Sequence, residues 1–130
     1  MVVKVAAGII VRDDLVFVAL RSSEQHQGDL WEFPGGKCEV DEEPAHALER
    51  ELYEECGIEV KQCTPFQVIR HDYSDKSVEL HFFEVSDFDG EPHGKEGQPV
   101  KWVTRPELTQ LCFPEANVPI VEALTQKSSL

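Results

Sequence analysis

The 130-residue chain lacks most of what would mark it for a membrane, a nucleic acid or secretion. No apolar run approaches the ~20 residues that span a bilayer, so no membrane partner is expected. The N-terminal MVVKVAAGII has no basic region followed by a long apolar stretch and a cleavage site. No signal peptide is read there, and the cytoplasm is the expected compartment. Positive charge is scarce: 12 Lys and Arg stand against 25 Asp and Glu, for a net charge of −13. That argues against a nucleic-acid polymer as partner, because phosphate contacts need a basic surface. A small phosphorylated substrate stays open if a metal ion supplies the missing positive charge. Cys38, Cys56, Cys63 and Cys112 form no C-x-x-C pair, and no histidine sits near two of them at zinc-finger spacing. They read as reduced thiols. An EF-hand loop, an internal repeat and an interdomain linker are absent as well.

What is present fits one domain over residues 1–130, with 41% hydrophobic residues, enough for a real core. Val2 to Val11 and Leu15 to Arg21 are β-rich runs around the turn signal Arg12-Asp13-Asp14, and read as a hairpin. Ser22 to Asp29 is a polar loop. Leu30 to Phe33 is a short strand, broken by Pro34-Gly35-Gly36. A helix follows, with Asp41 as cap, Glu42 and Glu43 in its first turn, and Pro44 tolerated there. Ala45, Leu48, Leu52 and Cys56 give it one apolar stripe, and Gly57 a left-handed stop. Further strands are expected over Ile58 to His71, Ser77 to Val85 and Val100 to Val103. A short helical turn is expected near Pro106. A last helix should point Val118, Val121 and Leu124 at the core. Trp31 and Trp102 read as core anchors. The fold class is α+β, with a mixed sheet. A monomer is expected.

The stretch RELYEECGI, Arg50 to Ile58, stands out energetically. Glu51, Glu54 and Glu55 share a sector beside the apolar stripe, where like charges repel by ~0.2–0.5 kcal/mol per pair. Glu54 and Glu55 also occupy the last turn, the negative end of the helix dipole. Clustered glutamates on a helix most often mean a solvated face. Here the surroundings weigh against that. Gly35-Gly36 offers bare backbone just before the helix, and Glu96 sits in a Gly-rich loop. Carboxylates without thiolate or imidazole make a hard-oxygen site that suits Mg²⁺, with Mn²⁺ as the other candidate. The chemistry that needs such a site is attack of water on a phosphoryl group. A spare carboxylate would accept the proton.

Gly36 to Ile58 resembles the signature of the Nudix hydrolases, the Nudix box. Gly36, Glu42, Arg50, Glu51, Leu52, Glu54, Glu55, Gly57 and Ile58 fill every fixed position of the pattern. The resemblance implies the Nudix fold, a mixed β-sheet sandwiched between α-helices. It implies hydrolysis of a nucleoside diphosphate linked to another group, with Mg²⁺. It makes Glu51 and Glu55 metal ligands and Glu54 a further metal or water contact. Gly35 would give a backbone carbonyl to the metal, and Arg50 would orient a box glutamate. Glu42 would either reach the metal shell or favour the helix N-terminus. The general base would be one of Glu42, Glu51, Glu54, Glu55 and Glu96.

The flanks AAGII, LWEFPGGK, GEPHGKEGQP and FPEANVPIVEAL are similar to the branch of the family that hydrolyses 8-oxo-dGTP. That similarity implies a small nucleotide as substrate. Asn117 would read the oxidised base, since an amide can both donate to and accept from a guanine edge; capping the last helix is its other reading. The Phe33 carbonyl would accept from N7–H, a proton present in 8-oxoguanine and absent from guanine. Arg21 would contact phosphate, Glu96 would complete the metal site, and Tyr73 and Val78 would lie near the base. His26 reads as a surface histidine or a residue that closes the site. TRPEL (Thr104 to Leu108) and VSDFDG (Val85 to Gly90) are similar instead to relatives acting on CTP, which leaves a cytidine nucleotide as the alternative substrate.

Overall fold

A computed structural model describes residues 2–21 and 30–127. The polar loop 22–29, with His26, and the tail 128–130 lie outside the described residues. Strands β1 (Val2–Arg12) and β2 (Leu15–Leu20) form the expected hairpin, with Asp13 in the left-handed region at φ 56°. Their ladder joins Ile10, Val11 and Arg12 to Phe17, Val16 and Leu15. Past Ile10 the two strands diverge, and residues 31–37 enter the opening. There β3 (Trp31–Glu32) pairs with β2, and β4 (Gly35–Lys37) pairs with β1. The glycine pair is therefore a strand rather than the break expected from Pro34-Gly35-Gly36. A Cβ on Gly35 would collide with the Ala6 carbonyl oxygen, so only glycine permits this close approach.

The long hairpin of β5 (Glu59–Asp72) and β6 (Ser77–Asp89) extends the sheet from the other edge of β1. β1 and β6 run parallel, from Val2 opposite Ser77 to Ile10 opposite Val85. β7 (Val100–Thr104) pairs with β2. The sheet order is β3-β2-β1-β6-β5, mixed in direction as expected.

Period-two alternation splits the core into two layers. Ala6, Ile10, Phe17 and Phe83 face helix α1 (Pro44–Cys56), which buries Ala47, Leu48, Leu52 and Cys56 against them. Ala7, Ile9, Val16, Val18 and Phe82 face helix α2 (Val118–Lys127), with its Ile120, Val121 and Leu124. The sheet is thus sandwiched between helices. Leu48 and Leu52 are 0% exposed, and burial of each contributes about 1.5–3 kcal/mol toward holding α1. Among the described residues, no helix is long and apolar enough to cross a membrane.

Two helix starts differ from expectation. α1 opens at Pro44, with Glu43 before it and no side-chain cap, and Asp41 takes φ 63°. Glu42 and Glu43 therefore precede the first turn. Val118 is exposed, and Ile120 takes its place in the core. Val121 and Leu124 are buried as expected, and Val118 is the first residue of α2, directly after the 3-10 turn Glu115–Asn117. The 3-10 helix Pro106–Gln110 sits where a helical turn was expected. All four cysteines are free thiols.

Candidate active site

Helix α1 brings Glu51 and Glu55 to one side, a turn apart, next to the glycines of β4. A Cβ on Gly36 would overlap the Glu51 carboxyl group, so the bare glycine is what admits that carboxylate beside the sheet. Gly35 precedes it on β4, opposite Ala7. Arg50 fixes the near side of the cluster. Its Nη1 donates to Glu51 Oε1 at 3.0 Å, and its Nε and Nη2 donate to Glu42 at 3.0 and 2.9 Å. Nη2 also donates to the Lys37 carbonyl at 3.2 Å. Arg50 thus pairs with both Glu51 and Glu42. Glu42, only 8% exposed, anchors Arg50; it neither joins Glu55 nor sits in the helix N-terminus. That pairing holds its carboxyl down at about 2. Glu54 lies 3.8 Å from Arg50 and is 54% exposed, on the solvent side of the cluster.

Glu55 is the electrostatic centre. Burial, the charges of Glu32 and Glu51, a hydrogen bond with Glu51 and the charge of Glu96 together push its carboxyl up to about 8. The neighbouring Cys56 thiol is pushed up to about 12, first by burial and then by Glu55, which makes it inert at neutral pH. Glu32, on β3, was not singled out in the sequence. Its carboxyl is raised by burial and held back by Arg21, whose Nη1 donates to Glu32 Oε1 at 2.6 Å.

Three further carboxylates act on Glu55 from three elements: Glu32 on β3, Glu51 on α1, and Glu96 in the loop before β7. Among the described residues, no three Asp, Glu, His or Cys side chains are arranged so that they could hold a metal ion as they stand. Glu51 turns toward Arg50, and Glu55 shares a proton-dependent hydrogen bond with it. The donors are hard oxygens, and Arg50 and Arg21 compensate Glu51 and Glu32 while Glu55 is left pushed up by its acidic neighbours, a donor set whose chemistry suits a small divalent cation.

Beside the cluster lies a cavity of about 510 Å³, within the usual size for a small-molecule site. Arg21, Tyr73, Val78 and Asn117 line it together. They come from the residue after β2, the β5–β6 turn, β6 and the 3-10 turn before α2. His71, Asp75 and Lys76, which no motif in the sequence marks, line it too. The His71 and Tyr73 rings lie 4.5 Å apart on one wall. Phe33 is not part of that lining. Its side chain is buried, stacked on Phe113 at 5.2 Å and edge-on to Phe82. Asn117 closes its 3-10 turn through its own N–H to the Pro114 carbonyl at 2.9 Å. Trp31 and Trp102 pack against the two core layers, as expected. Arg21 belongs to both halves of the site: it lines the cavity and grips Glu32, which faces Glu55.

Residues 5–123 match the family model of the NUDIX domain. The chain is 38% identical over 122 residues to an 8-oxo-dGTP diphosphatase of Escherichia coli, covering 93% of this chain and 95% of that protein. It is 37% identical over 121 residues to a CTP pyrophosphohydrolase of Escherichia coli, covering 93% and 90%. A solved MutT structure, from work on Aliivibrio salmonicida and Vibrio cholerae, superposes with a TM-score of 0.85 at 37% identity. It covers 98% of this chain and 99% of that one.

Proposed function

The chain belongs to the NUDIX family and is a hydrolase of it, and we propose that it hydrolyses 8-oxo-dGTP to 8-oxo-dGMP and pyrophosphate. The observation that carries this reading is the single cavity shared by Arg21, Tyr73, Val78 and Asn117, joined to the carboxylate cluster through the Arg21–Glu32 pair. In this reading an amide that would read the base and a guanidinium that would bind phosphate share one cavity leading toward the acids.

Glu51, Glu55 and Glu96 would hold Mg²⁺ or Mn²⁺, with Glu54 and the Gly35 carbonyl as further donors. When bound, the cation neutralises phosphate oxygens and acidifies the attacking water. The remaining work falls to the chain's own groups. Arg50 keeps Glu51 aimed by donating to it while anchored on Glu42. Arg21 orients the polyphosphate at the mouth of the cavity. A carboxylate of the cluster accepts the proton from water as the water oxygen bonds to the β-phosphorus and the bond from that phosphorus to the α–β bridging oxygen breaks, so that 8-oxo-dGMP leaves and the water oxygen ends in pyrophosphate. The Asn117 amide pairs with the guanine edge, and the Phe33 carbonyl accepts N7–H of the oxidised base. Leaving such a buried acceptor unpaired costs about 1–3 kcal/mol, which penalises dGTP. The cellular consequence is removal of oxidised dGTP before polymerases use it.

A cytidine nucleotide is the second reading, favoured by the 37% identity to a CTP pyrophosphohydrolase. The experiment is kcat/KM with Mg²⁺ for 8-oxo-dGTP, dGTP and CTP, read as pyrophosphate release. A preference for 8-oxo-dGTP of ~10²-fold or more is expected, a hydrogen-bonding site rejecting a substrate that lacks the matching group. A preference for CTP would leave the phosphoryl chemistry standing and overturn the roles of Asn117 and Phe33.

A further inference from the structure

Glu96 poses a positioning problem. It lies in the segment between β6 and β7, outside regular structure, and its side chain is exposed. Fixing one backbone residue costs about 1–2 kcal/mol of conformational entropy, so a free loop would not hold a carboxylate at a defined place beside Glu55. Something must tie this loop to the end of α1.

Part of the tie is backbone. The last carbonyls of any helix lack partners within the helix. Here the His93 N–H donates to the Cys56 carbonyl at 3.1 Å, and the Lys95 N–H donates to the Glu55 carbonyl at 3.1 Å. The rest comes from one side chain. Gln98 Nε2 donates to the same Glu55 carbonyl at 3.2 Å. Gln98 Oε1 accepts from the Glu96 N–H at 3.0 Å. One amide thus touches the main chain of both acidic residues, donating to the one on the helix and accepting from the one on the loop. Gln98 is half-buried, so water competes less for these bonds than at an open surface. The Gly97 N–H donates to the Gly94 carbonyl at 2.9 Å, and Gly97 takes φ 87°. That tight turn is what carries the Gln98 side chain back over Glu96.

We propose that Gln98 is a positioning residue that clamps Glu96 to the Glu55 end of α1 and so sets the two carboxylates of the cation site. The inference rests on the reading of Glu55 and Glu96 as cation donors. The role needs a donor and an acceptor on one planar group at this reach. Leucine supplies neither. Glutamate keeps the acceptor, loses the donor, and turns a like charge toward the Glu55 carbonyl oxygen.

The test measures Mn²⁺ binding to the metal-free protein by the loss of free-ion paramagnetic signal, alongside thermal melting and nucleotide kinetics. Wild type, Gln98→Leu, Gln98→Glu, Glu96→Gln and Glu96→Gln/Gln98→Leu are compared. Groups that orient metal ligands typically contribute 10–100-fold in metal affinity or activity. Weakening of that size is expected for Gln98→Leu and Gln98→Glu, with kcat reduced and the nucleotide KM little changed. In the Glu96→Gln background the Gln98→Leu change should add little, because the two act as one unit. Wild-type affinity in both Gln98 variants would overturn the clamp, as would an undiminished Gln98→Leu effect in the Glu96→Gln background. Mn²⁺ binding to wild type no tighter than to a Glu55→Gln variant would overturn the cation reading itself, a separate failure visible without any Gln98 variant.

Discussion

Replacing Glu55 with glutamine should stabilise the metal-free protein while destroying its activity. The carboxyl of Glu55 is pushed from its ordinary 4.5 up to about 8, first by burial and then by Glu32 and Glu51. A raised carboxyl means the folded state holds its proton more tightly than the unfolded chain does. Below pH ~4.5 both states carry the proton, and the group is neutral toward stability. As pH rises from ~4.5 to ~8, the unfolded chain releases the proton first, and stability falls. Above ~8 the folded state ionises too, and the full penalty is present. Full burial would make that penalty ~5 kcal/mol at 1.4 kcal/mol per tenfold. Glu55 is partly open to solvent, which screens it, so about 1–3 kcal/mol is expected. Glutamine keeps the shape and removes the titration. Without metal at pH 8.5, Glu55→Gln should therefore melt higher than wild type, at roughly 3–5 °C per kcal/mol for a domain of this size. At pH 5 the two should nearly coincide. Adding Mg²⁺ should raise the wild-type melting temperature, by ~2.7 kcal/mol of stability at a hundredfold excess over Kd, and raise the variant much less. Differential scanning calorimetry across pH 5–9 in chelator reads all of this. A wild-type melting temperature independent of pH, or a variant no more stable than wild type at pH 8.5, would refute the reasoning.

Asn117→Ala should lower kcat/KM for 8-oxo-dGTP by about 1–3 kcal/mol, roughly 5–150-fold, by removing both hydrogen-bonding groups of the amide. Activity on CTP should change little, and equal loss on both nucleotides would show that Asn117 shapes the cavity without reading the base. Gly57→Ala should destabilise, because Gly57 holds φ 71° at the end of α1 and a Cβ there would overlap the His93 ring. The left-handed conformation alone costs about 1 kcal/mol in alanine. Displacing His93 should also loosen the loop that carries Glu96, so Mn²⁺ affinity should fall along with the melting temperature; a fall in melting temperature alone would separate the two.

Local signals made α1 legible. Leu48, Leu52 and Cys56 repeat at helical spacing and Gly57 stops the helix, and the structure uses each as that pattern implies. The start of the helix was misread because a tertiary contact outranks local preference. Asp41-Glu42-Glu43 looks like a capping turn, yet Glu42 is drawn back to a bidentate pair with Arg50. Such a pair, eight residues apart and across a turn, leaves no periodic trace. Glu32 was hidden in a different way. In Leu-Trp-Glu-Phe it looks like the outward member of a short alternating strand. What turns it inward is the divergence of β1 and β2, which seats β3 in the opening and sets Glu32 opposite Ala19, two residues before its partner Arg21. The clue available was a single carboxylate flanked by aromatics within ten or so residues of an arginine at a strand end.

The same divergence explains why an acidic protein can handle an anionic substrate. β4 enters the sheet through two glycines: one lets the backbone approach Ala6, and the other leaves room for the Glu51 carboxyl group. That geometry forces a carboxylate against a strand, and Arg50 then neutralises only its near side. On the far side Glu32 and Glu96 act on Glu55, and Arg21 reaches Glu32 from the cavity. Charge deficit and charge excess are thereby segregated. The helix side is compensated by Arg50, and the acids around Glu55 are left to a divalent ion to neutralise. Net charge −13 is then no obstacle to nucleotide binding, because the substrate's phosphates would meet Arg21 and a cation together and the remaining acids stay behind them. The repulsion stored around Glu55 is the local cost of keeping that place open, and the apolar face of α1, with Leu48 and Leu52 fully buried, is large enough to bear it.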